Sequence, residues 1–400
     1  MGRPNYLCDA ESNHNETGSQ HQPCISALIW CVVSYACMVT VLLGICASTP
    51  SLFDLRLLSL FGPRVSPVPL HAHTKNFGSF EKPGNLAIIA LVPFRDYERT
   101  EILDCYLQRN LVDKQGFLDQ PRMATSTVGR TSLYKIAGPS DSLEWGDMDK
   151  IVMFIRIDGD IIFLEDYTIP TIVKTKLENP DSLMISANVI NQHMLETLHS
   201  HHRVALPYLP ELSSTNQSLI HTSQDWRASN LPTWEGPADF EIHKGFSPPS
   251  GTHRWLPLND EDDDRTPIGT SMYSANGPGL KDWTVHAQQH YSFLQHLECG
   301  DLYRYKFSLW INPTDSVSPN FLCFGRDDSI DFKSIIQQEA DDLALKVAQE
   351  AKGGNRDVII DGKGLAAHYS TEASSEGLGS TDILSRYRAY AKEMVCLETL

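Results

Sequence analysis

From Asn85 the segment NLAIIALVPF is apolar at nearly every position, the pattern of a strand buried on both faces. RDYERTEILDCYLQRNLVDKQG follows at once. There Ile102, Leu103, Tyr106, Leu107 and Leu111 fall at helical spacing and Gly116 supplies a stop. KIVMFIRIDGDIIF predicts the next strong strand, and SLMISANVI another. Between them YTIPTIVKTKLEN predicts a helix that tolerates Pro170 in its first turn. Near the C-terminus, DFKSIIQQEADDLALKVAQEAK is an amphipathic helix ending at Gly353-Gly354, and RDVIIDGKGLAAHYS is a strand and turn. TDILSRYRAYAKEMV is a last helix with Ile383, Leu384, Tyr387, Ala391 and Met394 on one face. Strands alternating with helices specify an α/β body. Two stretches carry no clear period: 120–149, rich in Ser, Thr and Gly, and 205–285, with many prolines and Trp226, Trp234, Trp255 and Trp283.

Upstream of this body the pattern changes. Residues 1–24 are polar and predict a disordered tail. Residues 25–47, ISALIWCVVSYACMVTVLLGICA, carry no charged residue and are long enough to cross a hydrocarbon core of roughly 30 Å. They predict a transmembrane helix, a cleaved signal peptide being the rival reading, with a shorter apolar region and a basic leader. Residues 48–84 are interrupted by Pro50, Pro63, Pro67, Pro69 and Pro83, as in an extended stem. The folded domain is thus expected over 85–400, on the lumenal side of a membrane.

Composition narrows the chemistry only slightly. A formal charge of −17 over 400 residues offers no broad basic face, which argues against a nucleic-acid partner and favours a metal ion, a sugar or a metal-chelated nucleotide. In the body, Cys105, Cys299, Cys323 and Cys396 make an even number, enough for two disulfides in an oxidising lumen. Asn216 opens a glycosylation signal if that side is lumenal.

The informative motif lies inside FIRIDGDIIFLED. Asp158 and Asp160 interrupt an apolar run where unpaired carboxylates cost several kcal/mol. Residues two apart in an extended chain face the same way, so the pair is expected to project together from the end of a buried strand. Two such oxygens suit a hard cation, Mn²⁺ or Mg²⁺. The competing reading is a hydrated strand-to-loop junction. Three decoys fail. GKGLAA at 362–367 opens no helix of a dinucleotide site, HMLETLHSHHRV lacks H-E-x-x-H, and neither a nucleophile elbow nor a P-loop is present.

The order of anchor, proline-rich stem, first strand and D-x-D resembles the nucleotide-sugar glycosyltransferases of the GT-A fold. It is also similar to a fungal family of glycosyltransferase-like sequences, through VPFRDYERTEILDCYLQRNLV, RIDGDIIFLEDYTIP, ISANVINQ, DWRASNLPTWEGP and DGKGLAAHYS…STDILSRYRAYAKE. The resemblance implies a mixed, mainly parallel sheet flanked by helices in a Golgi or ER type II membrane protein. It implies transfer of a sugar from a nucleotide-sugar, a UDP-sugar first, to a hydroxyl on a glycan or small molecule. On it, Asp158, Asp160 and His368 hold the metal, and Pro93 and Arg95 join Asp158 and Asp160 in binding the nucleotide. The acceptor's general base is Asp328, Asp327 or, as a third choice, Asp225. Two departures stand out: Gly159 occupies the place of a third acid, and 120–149 lacks an evident strand–helix unit. They keep open a catalytically inactive relative with a binding role. A metal-dependent hydrolase is the third reading.

Overall fold

In the computed structural model the described residues run from 80 to 396, apart from 94–95, 125–150, 202–203, 213–224, 244, 248–251, 260–263, 272–281, 314–318, 327, 329–339, 355 and 370–374. The expected anchor, the stem as far as residue 79, Arg95, Asn216 and Asp327 lie outside the described residues. No helix among the described residues is long and apolar enough to cross a membrane.

The body is a mixed α/β structure, a curled sheet of eight strands flanked by helices. The strands are β1 (Leu86–Pro93), β2 (Gln120–Ala124), β3 (Ile151–Ile157), β4 (Ile161–Leu164) and β5 (Met184–Ile190), then β8 (Trp310–Ile311), β9 (Phe321–Gly325) and β10 (Val358–His368); β6 (Tyr208–Pro210) and β7 (Trp255–Pro257) form a separate ribbon. Their order is β2-β1-β3-β9-β5-β10-β4, with β8 also on β10. The pairings make β1, β2, β3, β5 and β10 run one way and β4, β8 and β9 the other. β2 is the strand that the sequence left unassigned in 120–149.

Burial on both faces follows from the apolar runs. Along β1, Ile88, Ala90 and Val92 enter one core while Ala87, Ile89 and Leu91 enter a second; Ile155 and Phe154 of β3 divide the same way, as do Cys323 and Leu322 of β9. The first core is completed by α1 (Tyr97–Arg109), α2 (Thr168–Glu178), α3 (Trp283–Cys299) and α5 (Ile383–Tyr390), through Ile102, Ile172, Phe293 and Tyr387. The second is completed by α4 (Ala340–Gly354), through Leu343 and Val347. α1 begins where the Asp96 carboxylate accepts from the Arg99 N–H. α3 ends at Gly300, whose φ of 72° is a left-handed cap.

One expected strand proves to be two. KIVMFIRIDGDIIF does not run through its acids: β3 stops at Ile157, residues 158–160 turn, and β4 departs to pair antiparallel with β10. β3 and β4 are four places apart in the strand order, roughly 19 Å in a flat sheet. A link of residues 158–160 reaches only about 14 Å when extended. The sheet must therefore curl so that its β4 edge returns toward β3, and a register shift in β10 between Asp361 and Leu365 lets that long strand bend.

Cysteine pairing is also narrower than the even count suggested. Cys105 of α1 is bonded to Cys396, tying the C-terminal segment to the first helix. Cys299 and Cys323 are free thiols. Cys323 lies in β9 at the middle of the sheet with no exposed surface, where a second bridge would require β9 to leave the core.

Candidate metal centre

β1 leads through α1 to β2 on one side, yet the next strand, β3, lies on the other side of β1. In open α/β sheets the carboxyl ends of the strands at such a reversal are where ligands bind. Asp158 follows β3 directly, and β10 ends at His368 on the same edge of the sheet.

The two acids meet by a turn rather than by the pleat. The Asp160 N–H donates to Asp158 Oδ1 at 3.1 Å, and the Ile161 N–H to the Asp158 carbonyl at 3.0 Å. β4 then sets Ile161 opposite His368, with a register shift between Ala367 and His368, and the Tyr369 N–H bonds the Asp160 carbonyl at 2.8 Å. One ligand atom from each of Asp158, Asp160 and His368 lies within 4.8 Å of the others, and all three residues are buried. Two carboxylate oxygens with one imidazole nitrogen fit Mn²⁺ well, and Mg²⁺ less well because of the nitrogen. The residues present therefore fit the cation that the resemblance implies.

The acids also have cationic neighbours that no local pattern foretold. Arg156 of β3 places Nη1 3.7 Å from Asp158 Oδ2, both side chains being 3% exposed, and also donates to the Pro319 carbonyl. Arg99, in the first turn of α1, pairs through Nη1 with Asp160 Oδ1. Its Nε lies 3.2 Å from Asp96 Oδ2, and its guanidinium stacks 4.7 Å from the Tyr369 ring centroid. Burial disfavours the Arg99 charge, but Asp160 and then Asp96 outweigh it, so the pKa is raised. The only hint in the sequence was the Asp96–Arg99 spacing at a helix start. That the first turn of α1 would reach the D-x-D turn depends on the strand order.

Behind His368 lies a buried polar layer. His290 of α3 contacts the Tyr369 carbonyl at 2.8 Å and Asn191 Nδ2 at 2.9 Å through Nε2, and the Tyr387 hydroxyl at 3.0 Å through Nδ1. Asn191, directly after β5, adopts a φ of 62°, a conformation Asn tolerates better than most residues. Desolvation pushes the His290 pKa down to about 3, although its bond to Tyr369 opposes this. The imidazole is therefore neutral at ordinary pH.

Among the other expected residues that are described, Asp328 and Asp225 lie away from this cluster. Pro93 closes β1 on the same sheet edge, half-buried and opposite Ala124. Asp328 lies toward the opposite edge, because β9 is antiparallel: Phe321 pairs with Ile157 near the cluster, whereas Gly325 pairs with Met153, roughly 13 Å along the strand. Its carboxylate accepts from the Gly325 N–H, lies 3.0 Å from Lys176 Nζ and pairs with Arg356. Asp225 holds a turn, accepting from the Arg227 N–H at 3.0 Å and from Asn230. Beside it, Trp226 Nε1 donates to Glu393, in the segment that follows α5; Arg109, the last residue of α1, bonds the neighbouring Met394 carbonyl. Neither acid reaches the metal cluster. Of the histidine-rich stretch, His199 is buried and bonded to Asn188 Oδ1 at 2.8 Å, a core contact.

Comparison with models of protein families, with curated proteins and with solved structures yields no match to this chain.

Proposed function

We propose that the chain is a metal-dependent glycosyltransferase of the GT-A type that moves a sugar from a nucleotide-sugar, a UDP-sugar first, to a hydroxyl acceptor. The observation that carries this reading is the buried Asp158–Asp160–His368 cluster at the carboxyl ends of β3 and β10. Asp158 and Asp160 would hold Mn²⁺ through oxygen and His368 through nitrogen. A cation held there neutralises diphosphate charge and stabilises the departing nucleotide. The mixed sheet, with antiparallel β9 set between β3 and β5, supports the fold part of the proposal. The Cys105–Cys396 bond suits an oxidising compartment and so a lumenal body. Asp328 and Asp225 are both engaged elsewhere, so neither serves as the acceptor's base in this reading.

A second reading, an inactive relative that binds without turnover, is favoured by one observation: Arg99 and Arg156 already lie beside the two acids. Incubation of the full-length chain, purified in detergent, with a panel of UDP-sugars separates the two. Mn²⁺-dependent release of UDP, abolished by EDTA and by Asp160→Asn, supports the transferase. Metal-dependent UDP binding without release from any donor supports the inactive relative. Absence of both from folded protein rejects the nucleotide-sugar site.

A further inference from the structure

Arg99 makes three kinds of contact, and only one of them is with a metal-ligand candidate. Its Nη1 meets Asp160, its Nε lies 3.2 Å from Asp96, and its plane lies over Tyr369. Arg156 differs: it is nearly inaccessible and is fixed to a backbone carbonyl. Arg99 keeps 18% of its side chain exposed, so among the described residues it is the cation at this cluster with access to a bound ligand.

Charge makes the two occupants interdependent. Asp158 and Asp160 bring two negative charges, and Arg156 and Arg99 bring two positive ones. A dication arriving at Asp160 meets the Arg99 guanidinium at the oxygen it needs, and like charges at contact distance inside a buried site repel strongly. A diphosphate arriving with the metal removes the conflict, because its oxygens accept from the guanidinium that Asp160 gives up. Asp96 and Tyr369 hold Arg99 in place during that exchange, so the movement needed is a shift of the guanidinium end alone.

Resting on the glycosyltransferase reading, we propose that Arg99 is the residue that couples the two ligands: it occupies Asp160 when the site is empty and transfers to the diphosphate when metal and nucleotide bind together. Metal and nucleoside diphosphate are then taken up as a pair. Each raises the affinity of the other by the same factor, as linkage requires.

Binding of Mn²⁺ to the full-length chain, followed by electron paramagnetic resonance with and without UDP, tests this without relying on turnover. In the wild-type chain UDP is expected to tighten Mn²⁺ binding by about tenfold or more, the scale of one charge-assisted contact. Arg99→Ala removes the competing cation. It is expected to bind Mn²⁺ alone about tenfold more tightly than wild type and to keep only the smaller response to UDP that direct attraction between cation and diphosphate supplies. Arg99→Lys, which keeps the charge and the helix, retains more of the wild-type response and guards against a folding defect in the alanine variant. If both variants bind Mn²⁺ as wild type does and UDP tightens it equally, Arg99 is not the coupling residue, although the metal site stands. If neither wild type nor Arg99→Ala binds Mn²⁺ with or without UDP while circular dichroism stays native, the metal reading falls and this inference with it.

Discussion

Replacing Asp158 and Asp160 by Asn, one at a time, should give unequal losses of stability in metal-free protein, because their arginine neighbours are unequally buried. Arg156 and Asp158 are each 3% exposed and lie 3.7 Å apart. Removing one charge of such a pair leaves the other in a medium that solvates it poorly, a cost of about 3–5 kcal/mol in fully buried pairs. The 3.7 Å separation and the Arg156 bond to the Pro319 carbonyl reduce the figure here to about 2–4 kcal/mol. Arg99 is more exposed and keeps both Asp96 and the Tyr369 ring when Asp160 is neutralised. That loss is about 1 kcal/mol, the scale of an ordinary hydrogen bond, because the remaining contacts keep the guanidinium satisfied. At about 2–4 °C per kcal/mol for a large domain, Asp158→Asn should lower Tm by roughly 4–16 °C and Asp160→Asn by roughly 2–4 °C. Thermal unfolding followed by circular dichroism in EDTA measures both. Mn²⁺ at 100 times its Kd should then stabilise wild type by about 2.7 kcal/mol and leave both variants unchanged. Equal losses in EDTA, or a larger loss for Asp160→Asn, would refute the argument that burial of the arginine sets the cost.

Two further outcomes follow from the same geometry. Reduction of Cys105–Cys396, which closes a separation of 291 residues, should cost about 2–5 kcal/mol and move the urea midpoint down; an unchanged midpoint under reductant would mean that the C-terminal segment is not tied to α1. His290, with its pKa depressed to about 3, takes no proton in the native state between about pH 3 and 6.5, whereas the unfolded chain does. The unfolded state therefore binds more protons in that window and stability rises with pH through it, the His290 contribution at pH 5 being a loss of about 2 kcal/mol. Burial lowers the His253 and His296 pKa values as well, so His290→Gln should flatten part of the slope between pH 5 and 7. A variant whose difference from wild type is the same at both pH values would contradict this.

What could be read from the chain, and what could not, divides along sequence separation. The apolar run of β1, the helical face at Ile102, Leu103, Tyr106 and Leu107, Pro170 in the first turn of α2 and the strand at Met184–Ile190 were legible, because each depends on neighbours a few residues away. The acids at 158 and 160 stood out for the same reason, as polar positions inside an apolar pattern. Period alone could not show that the run breaks there, since Ile157 and Ile161 are equally apolar on either side. The break follows from β4 pairing with a strand some two hundred residues later. The placement of Asp328 away from the cluster depends on the direction of β9, and no local pattern distinguishes a parallel from an antiparallel central strand. Likewise the sequence determined that Arg99 opens a helix. Only the crossover from β2 past β1 to β3 set that helix beside the acids, and only the curl of the sheet returned His368 to them. Propensity and burial pattern act over a few residues; the candidate metal centre joins side chains up to 210 positions apart (368 − 158), and strand pairing alone decides which of them meet.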